Sequence, residues 1–393
     1  MSQQYRNTRA EISHSHLIQN LHALQSLQTE GEFLCPMVKC NAYGHGAVAV
    51  SQWLVEEGVG SLGVALVEEA LELRAHGIVG PDILVFGTFP PEAVPAFIEH
   101  QLTPVISNFR DLEALGKQIK PAQNLSVHLK IDTGMHRLGL DAEEVNQIPQ
   151  SLKRHSGIQV KGVCTHFACA EDIGDPHSMS RQQLLVMSEL EGRLGLVEPV
   201  VKHVLNSTAL IGRKFHLDGN LYGNGQWSGL GCRPGISLYG CLDDAPLLSE
   251  QGQSWLFLNL KPVMTLIAEL VKIKELSAGE SLSYGATWQA TKPSRVGVLA
   301  IGYGDGYPRL LSNRGKVLVR GSLVPVIGRV CMDYTLVDLS DLESDSFPQP
   351  GDEMILFGDK DKVIEATDLA QQAGTISYEI FTGISSRVPR VEV

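Results

Sequence analysis

Between Glu32 and about Gly240, short apolar runs alternate with longer stretches of helical character. The runs are FLCPMVKC, SLGVAL, DILVFGT, LTPVIS, LSVHLKID, VKGVCTHF, KHVLNS and CRPGISLYG. Between them, stretches such as AVAVSQWLVEEG, VEEALELRAHG and SRQQLLVMSELEGRL place apolar residues three and four positions apart, the spacing of one helical face. Strands separated by helices predict a parallel sheet. A doubly wound open sheet gives the same alternation, but eight candidates favour a closed (β/α)8 barrel.

After about Asp243 the pattern changes. VMTLIAELVKIKEL, RVGVLAIGYG, KVLVRGSLVPVIGRV and TLVDLSDL are rich in β-branched residues and punctuated by Gly and Pro, with no long helical pattern before ATDLAQQAG. The expected architecture is an α/β (β/α)8 barrel of the TIM type over residues 10–243, then a mainly β domain over residues 244–393. Residues 1–9 precede the first barrel helix and are free to join the β domain.

Composition narrows the class. A chain of 393 residues exceeds one typical domain, and 43% hydrophobic with 19% charged residues is ordinary globular usage. Lys+Arg 32 against Asp+Glu 44 gives a net charge of −12 without a basic tract, which argues against nucleic-acid and anionic-membrane binders. A local site for a small anion remains compatible with that balance. The opening MSQQYRNTRAEISHSHL lacks the apolar core of a secretory signal, and no run approaches the roughly 20 apolar residues of a membrane span. Seven cysteines without a C-x-x-C spacing read as reduced thiols rather than a metal site. A cytoplasmic protein is expected.

Barrel active sites sit at the C-terminal ends of the strands, so polar residues there carry the candidate chemistry. Lys39 closes the first run; desolvation there favours a free amine, able to form an imine or abstract a proton. A lysine snorkelling to solvent explains the run equally well. In LSVHLKID, period two puts His128, Lys130 and Asp132 on one face, inward in a barrel. Arg137 follows, with a fork suited to a carboxylate or phenolate, though a structural ion-pair network is the plainer explanation for Lys130. Later ends deliver His166, then Asn206 and Ser207, then Arg233. Ser207 and the backbone amides near Gly235 and Ile236 suit a phosphate, which sits after strands 7 and 8 in many barrels. Together these describe a phosphate-bearing carbonyl cofactor with a lysine opposite. In the second domain, SLSYGATW sets Tyr284 in a small-residue turn, and GYGDGYPR is a glycine-rich loop that turn chemistry explains.

These segments resemble the alanine racemase family. VKCNAYGHG, KIDTGMHRLG, THFACAED, NST, RPGISLYG, SYGATW, IGYGDGYPR, GRVCMDYT, ISYEI and RVPR follow in the family's order nearly end to end, the first and sixth being the most specific. The resemblance implies a homodimeric, pyridoxal 5'-phosphate (PLP) dependent isomerase that interconverts L- and D-alanine by two bases and supplies D-alanine for peptidoglycan. Lys39 resembles the lysine that links to PLP and then acts on D-alanine. Tyr284 resembles the opposite base, supplied by the partner subunit and acting on L-alanine. A free phenol is a poor base at neutral pH, and His166 is placed to take up its proton, with Arg233 behind.

Arg233 also resembles the arginine facing the pyridine nitrogen, which limits carbanion lifetime because a guanidinium keeps its proton. Tyr43, Ser207, Gly235, Ile236 and Tyr378 match the family's phosphate cradle. Arg137 and the partner's Met332 and Asp333 match substrate-carboxylate positioning. Lys130 matches a lysine often carbamylated in the family. The segment 218–231 looks longer and more glycine-rich than the usual connector. Three readings compete. A decarboxylase of the same fold would place an acid at the pyridine nitrogen and a cysteine on the partner, whereas Arg233 stands here and Cys331 reads as a small buried residue. A barrel-only PLP carrier would need neither Tyr284 nor a second domain. A racemase of broader range is the third.

Overall fold

The computed structural model describes residues 5–120, 123–173, 175, 177–196, 199–216, 229–243, 258–343, 347–360 and 362–393. Most of the connector 218–231 and the residues just after 243 lie outside them.

The chain opens with strand β1 (Arg9–Ile12) and then lays down seven parallel strands in chain order. They are β2 (Ser61–Val64), β3 (Asp82–Val85), β4 (Leu102–Ile106), β5 (Leu125–Lys130), β6 (Ile158–Cys164), β7 (Val201–Leu205) and β8 (Leu230–Cys232). The expected first strand closes the ring as a bridging segment. Leu34 pairs with Cys232 and Met37 with Gly63, both parallel. Cys35 N–H donates to Cys232 O at 2.9 Å, and Val38 N–H to Gly63 O at 2.8 Å. Pro36 has no N–H, so this segment never becomes a regular strand. The eighth run is also shorter than expected. Only its Cys232 belongs to β8, after which Pro234 and Gly235 lead into a 3₁₀ turn, Ile236–Tyr239.

Helices cover the barrel because their sequences start cleanly and bury one face. The helix Phe109–Gln118 is capped by Asn108, whose side chain accepts from Asp111 N–H, and it buries Leu112 and Leu115. The helix Ala142–Arg154 begins with a reciprocal Asp141–Glu144 capping box and buries Val145 and Ile148. With helices outside and packed side chains inside, β2 and β4 are buried on both faces.

The second domain is built on the long strand β9 (Met264–Leu276). The hairpin β10 (Ser281–Leu282) and β11 (Trp288–Gln289) follows, then β12 (Ser294–Leu299), β13 (Lys316–Val319), β14 (Ser322–Pro325), β15 (Thr335–Asp338), β16 (Glu353–Lys360), β17 (Lys362–Ile364) and β18 (Arg390–Glu392). β9 pairs antiparallel with β1, β16 and β12, and β1 lies parallel to β18. The N-terminal strand is therefore a member of the second sheet. Two helices, Ala366–Ala373 and Ser377–Gly383, precede β18. The second of these docks on the barrel: Phe381 packs on His45 with ring centroids 4.9 Å apart, and Tyr378 lies 5.7 Å from Tyr43.

Candidate active site

At the C-terminal ends of the barrel strands lies a cavity of about 460 Å³. Its walls include Lys39, Lys130, Arg137, His166 and Arg233, and at the other end Tyr43, Asn206, Ser207, Gly235 and Tyr378. Ten of the sequence-selected residues thus meet in one place. Ile236 lies buried just beyond Gly235, outside the wall. Among the described residues, no Asp or Glu lines the cavity.

Lys39 opens a turn of unusual hand. Cys40, Asn41, Ala42 and Tyr43 all have φ between 52° and 55°, the left-handed region, which costs an L-residue about 1–2 kcal/mol each. Asn41 is the residue type that tolerates it best, and its Oδ1 accepts from Ala47 N–H at 2.7 Å. The turn brings the Lys39 Nζ to 5.9 Å from the Tyr43 ring. Burial holds the Lys39 amine below the ordinary lysine range; Arg137 and Arg233 push the same way, while Cys40 and Glu69 oppose. Burial likewise lowers Lys130, the last residue of β5. No carboxylate lies within ion-pair distance of Lys130 among the described residues. Asp132 instead turns its Oδ1 to the N–H groups of Gly134 and His136, at 3.0 and 3.1 Å.

Arg233 organises the inner wall. Its Nη2 donates to Thr165 O at 2.8 Å and lies 3.3 Å from His166 Nδ1; its Nη1 donates to His203 O and lies 2.9 Å from His203 Nδ1. A guanidinium has donors only, so both Nδ1 atoms accept. His203 then carries its proton on Nε2 and donates to His128 Nδ1 at 2.7 Å. His166 likewise keeps its proton on Nε2. Burial, then Arg233, Lys130, Arg137 and Lys39, hold His166 well below its ordinary range. With its acceptor nitrogen turned to Arg233, His166 sits where burial and the neighbouring guanidinium disfavour an imidazolium. Behind it, Gln183 donates to His166 O at 2.9 Å and accepts from Ala168 N–H at 3.0 Å. His203 and Gln183 were not singled out from the sequence, although a histidine inside the run KHVLNS is a signal of the same kind as Lys130.

The opposite end gathers donors. The helix Ser207–His216 begins at the cavity, with Asn206 Oδ1 accepting from Ala209 N–H at 2.9 Å. Ser207 Oγ accepts from Gly235 N–H at 3.0 Å, Ser237 N–H at 3.3 Å and the Ser237 hydroxyl at 2.9 Å. A Cβ at position 235 would collide with the Tyr43 hydroxyl, so only glycine lets this backbone reach the cavity. Amides, hydroxyls and a helix N-terminus, with no carboxylate in the cavity wall among the described residues, fit a phosphate group.

Three selected residues stand elsewhere. Tyr284, Met332 and Asp333 do not line the cavity, and Tyr284 is 72% exposed and Met332 53% exposed on the face of the second domain. Their loops are tied together. Ser283, at φ 62°, donates to Arg329 O at 2.7 Å, Gly304 N–H donates to Met332 O at 2.9 Å, and Arg387 holds Asp333 at 2.7 Å. Asp305 of GYGDGYPR is fully buried beneath them, pairing with Arg6 through contacts of 2.7 and 3.0 Å. Cys331, expected to be buried, is only half-buried, with its Sγ 3.6 Å from Ser283 Oγ.

A buried lysine and a phosphate-ready cradle in one cavity at the rim of a (β/α)8 barrel, with a β domain appended, define a barrel suited to a phosphate-bearing carbonyl cofactor. Family models for the N-terminal and C-terminal domains of alanine racemase match residues 12–243 and 263–392. The chain is 35% identical to alanine racemase 2 of Caldanaerobacter subterraneus subsp. tengcongensis, covering 100% of this chain and 96% of that one. The crystal structure of alanine racemase from E. faecalis superposes with a TM-score of 0.85 at 31% identity, covering 99% and 98% of the two chains. That of alanine racemase from Bartonella henselae with covalently bound pyridoxal phosphate gives 0.83 at 26% identity, covering 99% and 100%. The chain belongs to the alanine racemase family.

Proposed function

We propose that this protein is a PLP-dependent alanine racemase that works as a homodimer with two bases on opposite faces of the substrate. The observation that carries the reading is the cavity itself, in which a buried lysine, a phosphate cradle and Arg233 share one wall. The cofactor supplies the electron withdrawal that lets the Cα–H of alanine ionise.

The chain's own residues divide the remaining work. Ser207, the amides of Gly235 and Ile236, and the hydroxyls of Tyr43 and Tyr378 would hold the phosphate, and His166, Asn206 and Arg233 the rest of the cofactor. Arg233 would meet the ring nitrogen as a donor that keeps its own proton, which limits the charge the ring can absorb. Lys39, whose charged form burial disfavours, takes the Cα proton of D-alanine on one face. The partner subunit's Tyr284 takes that of L-alanine on the other. Each base returns a proton to its own face, so removal on one side and delivery on the other inverts the centre. His166, with its proton on Nε2, would donate to that tyrosine's oxygen and favour the phenolate. Arg137 and the partner subunit's Met332 and Asp333 would position the carboxylate.

Lys130 fits carbamylation, in which its free amine adds CO2 and releases a proton. Burial disfavours its charged form, and the anion formed would sit among Arg137 and Arg233. A native mass spectrum heavier by one CO2 is expected, and a density map with bare Lys130 would contradict it. A decarboxylase is disfavoured because Arg233 stands in the cavity wall and no acid lines it among the described residues. Seven cysteines without a C-x-x-C spacing read as reduced thiols and suit a reducing compartment, in keeping with a cytoplasmic enzyme that makes D-alanine for peptidoglycan. No helix among the described residues is long and apolar enough to cross a membrane.

The test is chiral chromatography of L-alanine incubated with protein and PLP, alongside L-serine, L-lysine and L-arginine. Alanine should approach an equal mixture while the others stay nearly untouched, and Lys39→Ala should lose both conversion and the absorbance of the held cofactor. Inversion of the larger amino acids would indicate a broad-specificity racemase. No inversion of any substrate would refute the reading.

A further inference from the structure

The left-handed turn after Lys39 keeps its shape only if its surroundings over-determine it. Several side chains do so. His45 Nδ1 lies 3.0 Å from the carbonyls of both Ala42 and Tyr43, and Arg390 donates to Gly44 O at 2.8 Å. One contact comes from the neighbouring βα unit. Glu69, in the helix Val67–Ala75, accepts from Cys40 N–H at 2.6 Å through Oε1. Its other oxygen accepts from the N–H groups of Ala65 and Leu66, at 2.7 and 3.0 Å. A single carboxylate thus ties the peptide next to Lys39 to the loop that leaves β2.

We infer that Glu69 is a positioning residue for Lys39, its carboxylate fixing where the lysine amine stands in the cavity by holding Cys40 N–H from the end of the second strand. The inference rests on the reading of Lys39 as the cofactor-bearing amine. Glutamine offers one accepting oxygen where the carboxylate offers two, and its NH2 would face a backbone N–H on one side. Aspartate keeps the charge but is a methylene too short to serve both sides at once. The charge matters too. Lys39 faces the cations Arg137 and Arg233 and the thiol of Cys40, with Tyr43, Lys130, His166 and Tyr378 in the same cavity wall, and Glu69 is the anion that offsets the cations.

The experiment compares wild type, Glu69→Gln and Glu69→Asp, each checked for fold by circular dichroism. Holoenzyme kinetics with L-alanine give kcat and KM. In cofactor-free protein, trace acetylation by acetic anhydride across pH, read by peptide mass spectrometry, reports the protonation of Lys39 against surface lysines. Glu69→Gln should lower kcat about tenfold or more with KM within about twofold, and move the Lys39 labelling midpoint to lower pH while the surface lysines stay put. Glu69→Asp should lose kcat comparably with its midpoint unmoved. Wild-type kcat in either folded variant would overturn the inference. So would a Glu69→Gln protein whose kcat falls while its Lys39 profile matches wild type, since loss of stability alone explains that. Should Glu69→Gln fail to fold, Glu69→Asp decides. Borohydride fixation of PLP on wild-type Lys39, located in the same peptides, checks the site reading separately; cofactor fixed elsewhere would contradict both.

Discussion

Arg233 has donors and no acceptor, so the histidines beside it are ordered by hydrogen bonding rather than by charge. The consequence is a set of imidazoles held neutral inside the barrel. Burial, with Arg233 adding to it, lowers His128 to about 4, and burial lowers His45 to about 3. In the unfolded chain each would take a proton near 6.5. Between 6.5 and the folded value the unfolded chain therefore binds more protons, and stability present above 6.5 is lost as pH falls. Each such histidine contributes up to about 1.4 kcal/mol per pH unit in that window. Denaturant unfolding at pH 7 and pH 5 should show the loss, and His128→Gln, which keeps an acceptor for His203 but does not titrate, should show a shallower one. Equal slopes would mean that His128 titrates near its solution value. The residue-scale chemistry was legible where a polar group closed an apolar run, as at Lys39, His166 and Arg233. His203 was missed because its partner lies thirty residues away in sequence and only barrel closure brings Arg233 to it.

At the scale of elements, the segment that carries Lys39 departs most from what periodicity predicts. FLCPMVKC reads as a strand, yet Pro36 reduces it to bridges, and the residues after it coil left-handed. A left-handed turn of four L-residues has no apolar period to announce it; only Asn41 and the glycines at 44 and 46 hint at it. Those glycines separate two causes of cost. Gly44 has φ 84° and its added Cβ would collide with Phe381 O, whereas Gly46 has φ 104° and open space. Gly46→Ala should cost about 1 kcal/mol from strain alone. Gly44→Ala should cost more than about 2 kcal/mol, because a backbone carbonyl of the docked helix has to move as well. Equal unfolding midpoints for the two variants would contradict that packing. The docked helix Ser377–Gly383 was itself unread as an element, being shorter than the stretch over which helical periodicity becomes visible.

The whole molecule shows why one chain's sequence reveals the residues but not where they meet. The barrel's cavity gathers its own residues, while Tyr284 and Met332 stand exposed and Asp333 half-buried on the other domain, with Tyr303 and Tyr334 also exposed there. The pairing of β1 with β9 and β18 binds the chain's two ends into one sheet, so that face is presented by a single framework. A two-fold dimer would carry each exposed tyrosine to the neighbouring barrel and make both sites alike. The most direct test of a site shared between two chains is complementation. Lys39→Ala and Tyr284→Phe proteins, each inactive alone, are dissociated, mixed and reassociated, and alanine racemisation is measured. In a mixed dimer, the Tyr284→Phe barrel keeps Lys39 and receives Tyr284 from its Lys39→Ala partner, so one of its two sites is intact. Random reassociation makes half the dimers mixed, and activity should return to about a quarter of wild type. Continued inactivity of the mixture, with mixed dimers demonstrated by mass, would contradict a tyrosine that crosses between subunits.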